Sequence, residues 1–345
     1  MRRFGAQLVW FGPNAGAHRV AIRCAVSVGV PMIVLVAVGR MDLLGAAAFG
    51  AFAAVYGRDL AGASRARLQT VAGVALTASV AIGLVAAHLP LRPWTSALVV
   101  VAVAVAATVL SRALRFTPAG PLFFVFASGA FAGGAPVGGA ASALVAAVTA
   151  GSAAFAVGVG GIDAFLARGR RERPAPAPVP RAWRDAMRDG SVVDVLAASA
   201  VAGVLAIALG LQHGYWAMLS AVVPASVSLR GPWLAKGTLR VVGTAAGLVV
   251  AAPLLMLDLH GWGIVAVALT LQLATELFVP RNYGFAMLFI TPLALLISST
   301  AQPGPVGVLL SDRFWGTVLG IGVGLLVLTV RAVITGARAP RTAAG

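Results

Sequence analysis

The chain has 345 residues, 60% of them hydrophobic and only 10% charged, where a soluble domain carries about 25% charged residues. Its mean hydropathy is +0.95, and apolar runs recur from end to end, which marks an all-α polytopic membrane protein rather than a soluble fold. The net charge of +16 would suggest nucleic acid in a soluble protein, but the arginines sit between apolar runs and not along one face, so nucleic acid is excluded as a partner.

A membrane β-barrel would show alternating polarity in segments of about ten residues, and none is seen. Cys24 is the sole cysteine, which excludes internal disulfides and cysteine-based metal sites. His18, His88, His213 and His260 are scattered over turns without metal-ligand spacing. No cofactor and no metal is expected. No Walker loop, Gly-x-Ser-x-Gly elbow or His-Glu-x-x-His is present, so no enzyme is predicted.

In chain order, Met1 to Arg23 is a basic entry segment without the apolar stretch of a cleavable signal peptide. Spans are predicted at about Val20–Val38, Leu43–Tyr56, Thr70–Leu89 and Thr95–Leu110. Phe116 to Ile162 is uncharged for 47 residues, too long for one helix. The Gly/Pro cluster from Gly133 to Gly139 divides it into spans five and six. Arg168 to Asp189 holds seven arginines and the tract Pro174 to Pro180, which favours an extended linker. Arg181 to Arg188 reads as a short amphipathic helix on the membrane surface. Spans seven to twelve fall near Val192–Leu211, Tyr215–Leu229, Val241–Leu257, Ile264–Phe278, Gly284–Ile297 and Phe314–Val330. A basic tail follows Arg331.

This plan gives a six-helix unit at 1–162, a cytoplasmic Arg/Pro-rich linker at 163–190, a second six-helix unit at 191–331 and a tail at 332–345. With twelve spans and a cytoplasmic N-terminus, Arg40, Arg92 and Arg313 are outside and the other basic residues inside, as the positive-inside rule requires. Both termini are then cytoplasmic, in a bacterial inner membrane. A faint repeat aligns Gly50–Gly73 on Pro224–Gly247 with seven identities in 24 positions. Trp94 and Trp262 follow corresponding spans. Parallel repeats of this kind are a known transporter plan.

One pattern carries chemistry. Arg240-x-x-Gly243-Thr244-x-x-Gly247 returns as Arg313-x-x-Gly316-Thr317-x-x-Gly320, with arginine, threonine and glycine on one helical face. An arginine in a bilayer costs at least ~2.5–3.5 kcal/mol, so it must line water, be paired or sit at an interface. A guanidinium at such a place binds carboxylate in a bidentate fork. Arg240 also fits an interfacial snorkelling arginine, and Arg313 a partner for the adjacent Asp312.

Thr244 and Thr317 could donate to a substrate or to their own i−4 carbonyls. Gly243, Gly247, Gly316, Gly320 and Gly324 read as close-packing positions. Glu276 is the acid inside a predicted span. It is the candidate for proton coupling, or else an ion-pair partner of Arg281. Tyr215 and Trp216 read as outer-interface aromatics or as a stacking surface for an aromatic substrate. Pro224, Pro253 and Pro292 interrupt apolar spans.

Tyr215-Trp216, Arg240-x-x-Gly-Thr, Arg281-Asn-Tyr283 and Asp312-Arg-x-x-Gly-Thr317 together resemble the fusaric-acid-resistance (FUSC) family, which includes aromatic acid exporters. The resemblance covers about Tyr215 to Val330; the first half has Ala66 opposite Arg240 and no Asp-Arg pair. It implies paired six-helix units around a shared path and export of organic anions. Expected partners are the lipid bilayer and a small organic anion, with homo-oligomers allowed. A non-transporting scaffold or envelope-assembly partner, and an anion channel, are the alternative readings.

Overall fold

The computed structural model describes residues 11–12, 16–60, 62–166, 179–225, 233–257 and 259–336. Arg230, most of the Pro174–Pro180 tract and the tail beyond Gly336 lie outside the described residues. The described chain is helical, and no strand occurs in it. The helices are α1 (Ala17–Ala37), α2 (Leu44–Ala51), α3 (Gly62–Ala86), α4 (Trp94–Leu114), α5 (Leu122–Ala132), α6 (Gly139–Leu166), α7 (Val179–Arg188), α8 (Ser191–Ala208), α9 (Tyr215–Ala225), α10 (Trp233–Met256), α11 (Trp262–Phe278), α12 (Tyr283–Ala301) and α13 (Val306–Ile334). Short 3₁₀ turns at Met41–Leu43 and Phe52–Val55 extend α2 at both ends.

Among the described residues, leaving α7 aside, six apolar segments precede it and six follow, at the places where the sequence predicts twelve spans. Eight are long and apolar enough to cross a membrane; Met41–Val55, Leu122–Ala132, Tyr215–Pro224 and Trp262–Phe278 are shorter. An 11-residue helix such as α5 reaches about 16 Å, roughly half of the ~30 Å hydrocarbon core. The reason is visible in their burial. Every residue of α2 is buried, and so is the run Phe124–Ala132 of α5. A helix that is apolar all round and covered all round belongs in the middle of a bundle. The long helices sit outside it and turn valines and isoleucines outward, as at Val26, Val30 and Val34 on α1 and Val242 and Val249 on α10.

Packing is reciprocal between the two sets. Within each, the second helix packs on the sixth (α2 on α6, α9 on α13) and the third on the fifth (α3 on α5, α10 on α12). Between them, the first of one set meets the fourth of the other (α1 on α11, α8 on α4), and the second meets the fifth (α2 on α12, α9 on α5). Trp94 and Trp262 open α4 and α11, corresponding helices, and both are exposed.

The repeat's glycine register does not carry over. A Cβ on Gly73 would meet Ala153 of α6, whereas one on Gly247 would meet Met287 O and Thr291 of α12. Beside Ala66, which the repeat places opposite Arg240, Arg65 is buried and bonds through Nε to Leu60 O at 2.9 Å.

Bonds between turns define two ends of the bundle. At one end Gly57 N donates to Thr117 O (3.1 Å) and Gly12 N to Arg281 O (2.9 Å). At the other, His88 Nε2 lies 3.0 Å from Val137 O, and Arg92 Nη2 donates to Gly133 O (3.0 Å) and Gly134 O (2.8 Å). The first end carries α7, where Ala182 and Ala186 pack against Val109 and Ala113 while Trp183 and Met187 stay exposed. Helix α13 begins at Val306, behind Pro305, and not at Phe314. Arg313 therefore stands inside a helix and not in an outer turn.

Candidate functional site

All four short segments border one cavity of about 390 Å³ that lies between the two sets and reaches the turns at Arg58–Asp59 and Thr117–Gly120 of the first end. Each element offers it one face. Helix α9 gives Trp216, Leu219 and Val223; α11 gives Gln272, Thr275, Glu276 and Val279, spaced i, i+3, i+4 and i+7. The first set contributes rings: Phe52 and Tyr56 after α2, Phe123 and Phe126 from α5. Helix α10 adds Lys236 and Arg240, one turn apart; α12 adds Tyr283, and α13 adds Arg313.

Arg313 is 1% exposed. Its guanidinium carbon lies 4.0 Å from the centre of a Trp216 ring, a cation–π contact. Gly316, one turn on, makes the approach: a Cβ there would stand 2.8 Å from Trp216 Cβ. Nε and Nη1 of Arg313 have no hydrogen-bond partner among the described residues. Asp312 is not its partner. That carboxylate accepts from His213 N (2.9 Å) and pairs with His213 Nδ1 (2.8 Å).

Arg240 Nη1 donates to the Tyr283 hydroxyl at 2.8 Å, and Arg240 Nε has no partner among the described residues. At 3% exposed, Arg240 is not a snorkelling interfacial residue. Tyr283 is placed by the motif around it. Asn282 caps α12 by accepting from Phe285 N at 2.9 Å, which starts the helix at Tyr283. Four further polar atoms on the cavity wall are buried without a partner: Tyr56 Oη, Thr117 Oγ1, Trp216 Nε1 and Thr275 Oγ1. Buried polar groups are almost always bonded, and among the described residues these wall atoms are exceptions.

Glu276 accepts from Arg58 Nη2 at 2.9 Å and Gln272 Nε2 at 3.2 Å. The expected ion pair with Arg281 is absent. Arg281 lies past the end of α11, bonds through Nε to Gly12 O (3.3 Å) and stacks near Phe11 and Phe278. Tyr215 and Trp216 are 6% and 0% exposed, which corrects their reading as an interfacial belt. Thr317 donates to Arg313 O at 2.8 Å. Thr244 is buried, lacks a partner and does not border the cavity.

The glycines face backbone. Added Cβ atoms at Gly243 and Gly247 would lie 2.5 Å from Gly284 O and 2.6 Å from Met287 O on α12. At Gly320 and Gly324 they would lie 2.1 and 2.5 Å from Ala217 O and Ala221 O on α9.

Sequence reasoning missed Arg58, the cavity position of Lys236, and the His213–Asp312 pair. The one signal available was Gln272 and Glu276, two polar residues at i and i+4 in an apolar segment. A second cavity of about 300 Å³ opens near the other end, bordered by Arg92, Ser96, Gly129, Ala132, Tyr215 and Met218. Adjacent residues of α9 thus face the two cavities, Tyr215 one and Trp216 the other. Phe126 packs on both, at ring distances of 6.3 and 4.9 Å.

The model of a family described as fusaric acid resistance protein-like matches residues 199–327, from within α8 to within α13. Among curated proteins, the uncharacterized membrane protein YvaC of Bacillus subtilis (strain 168) is 29% identical over 126 residues, 36% of this chain and 20% of YvaC. The matched region thus spans a fifth of that relative's length. No solved structure matches the chain. The chain is a multi-pass membrane protein with a fusaric-acid-resistance-like segment.

Proposed function

We propose that this fusaric-acid-resistance-like membrane protein is a bacterial inner-membrane exporter of organic, aromatic carboxylates, moving them along the seam between its two six-segment sets. The observation that carries the reading is Arg313, buried and stacked on Trp216 in a 390 Å³ cavity with two guanidinium nitrogens unpartnered among the described residues. Breaking a buried charge away from its partner is strongly unfavourable, so an arginine held this way without a carboxylate suits a visiting anion. Arg240, fixed by Tyr283, would hold the same acid group. Trp216, Phe123 and Phe126 give an apolar bed for its ring.

The cavity reaches the end bearing the basic turns, which the positive-inside rule makes cytoplasmic, along with both termini. The second cavity lies toward the exit. Glu276, held by Arg58, is the group suited to carry a coupled proton.

The test is efflux of benzoate from proteoliposomes containing the wild-type chain or Arg313→Ala. Loss of one charged contact worth roughly 1.5–3 kcal/mol should lower flux at limiting substrate about tenfold or more, with unchanged elution and melting behaviour. Undiminished flux in the variant removes Arg313 from the mechanism. A wild-type protein that moves no organic anion favours a scaffold or envelope-assembly role instead.

A further inference from the structure

The charge balance of the cavity says more about the cargo, on the premise that the cavity binds an anion. Three cations border it without an acidic partner among the described residues: Lys236, Arg240 and Arg313. Lys236 and Arg240 share one face of α10, Arg240 bonds Tyr283 on α12, and Arg313 borders the same cavity from α13. Five acids among the described residues are committed elsewhere. Glu276 belongs to Arg58, Asp312 to His213, Asp194 to Arg331, Asp189 to Arg112 and Asp42 to Arg40. Asp59 borders the cavity but is exposed and makes no ion pair.

One carboxylate between Arg313 and Arg240 would leave Lys236 unanswered. Like charges gathered away from water oppose one another, and a second negative group on the same guest would relieve that. We propose that the cavity selects dianions, aromatic bodies carrying two acid groups, over monoanions of the same size. The second acid group would meet Lys236, the one lysine of the chain.

Calorimetric titration of the full-length protein in detergent at neutral pH, with isophthalate and with its monomethyl ester, tests this. The two share ring and size and differ by one charge. Isophthalate should bind about tenfold tighter, the value of one charged contact, and Lys236→Gln should erase most of that ratio. Should the variant not fold, phenyl phosphate and benzenesulfonate serve on the unaltered protein. The phosphate gains its second charge near pH ~6 while the sulfonate stays singly charged, so the affinity ratio should climb severalfold from pH ~5 to ~7.5. Equal binding of diacid and monoester, or a flat phosphate-to-sulfonate ratio, overturns the dianion selection and leaves the anion cavity intact. Failure of all four to bind overturns the anion cavity itself.

Discussion

Glu276 shows how far single residues could be read ahead. An isolated acid in an apolar segment is conspicuous in sequence, but its partner is Arg58, 218 positions away. Proximity along the chain pointed to Arg281, which the end of α11 at Phe278 carries off toward Phe11. Asp312 and Arg313 fail as a pair for a related reason. Consecutive helical residues point about 100° apart, so one reaches His213 and the other Trp216. Removing one partner of a buried ion pair costs roughly 3–5 kcal/mol, while replacing both by apolar groups is close to neutral. Arg58→Met should therefore lower the melting temperature clearly, and Arg58→Met with Glu276→Leu should recover most of the loss. A double variant no better than the single would show that the pair does not couple as drawn.

At the scale of elements, location was legible and length was not. Each predicted apolar segment is helical over its described residues, even where Pro31, Pro224, Pro253 and Pro292 lie inside a helix. How many residues of each run stay helical depends on neighbours. Helix α9 carries Pro224 inside it, and α13 gains two turns ahead of Phe314 once Pro305 starts it. The α9–α13 seam offers a clean comparison within one helix. A Cβ on Gly320 would sit 2.1 Å from Ala217 O, whereas one on Gly322 meets nothing within 4 Å. Gly320→Ala should destabilise by about 1–3 kcal/mol through overpacking, and Gly322→Ala should stabilise by up to about 1 kcal/mol through helix propensity. Thermal unfolding of both checks it. Equal shifts would mean the seam relaxes freely. By pushing Trp216 outward, Gly316→Ala should in addition weaken benzoate binding severalfold, since the cation–π contact is worth roughly 0.5–2 kcal/mol.

For the molecule as a whole, the two sets pack reciprocally but supply different chemistry. The second brings Lys236, Arg240, Tyr283 and Arg313; the first brings rings and Arg58. The family match covers that second set alone. The cationic half of the site was therefore readable from Arg-x-x-Gly-Thr, twice written, while the aromatic half was not. Phe52, Tyr56, Phe123 and Phe126 look like ordinary core residues until helices from both sets close around one space.

Between the two cavities stand Phe126 and Trp216, which border the first, and Tyr215, which borders the second and donates through Oη to Ser298 Oγ at 3.2 Å. Phe126→Ala should let a membrane-impermeant thiol reagent, added on the Ser96 side, reach a cysteine placed at Thr117 in a Cys24→Ala background; continued protection would put the barrier elsewhere. Turning these three rings displaces less packing than rocking whole bundles past one another. In the proposed exporter, release from the arginines would then be the slow step. Cargoes that cling hardest would then cross most slowly at saturation, and a ranking of guests by tightness would run opposite to their ranking by turnover.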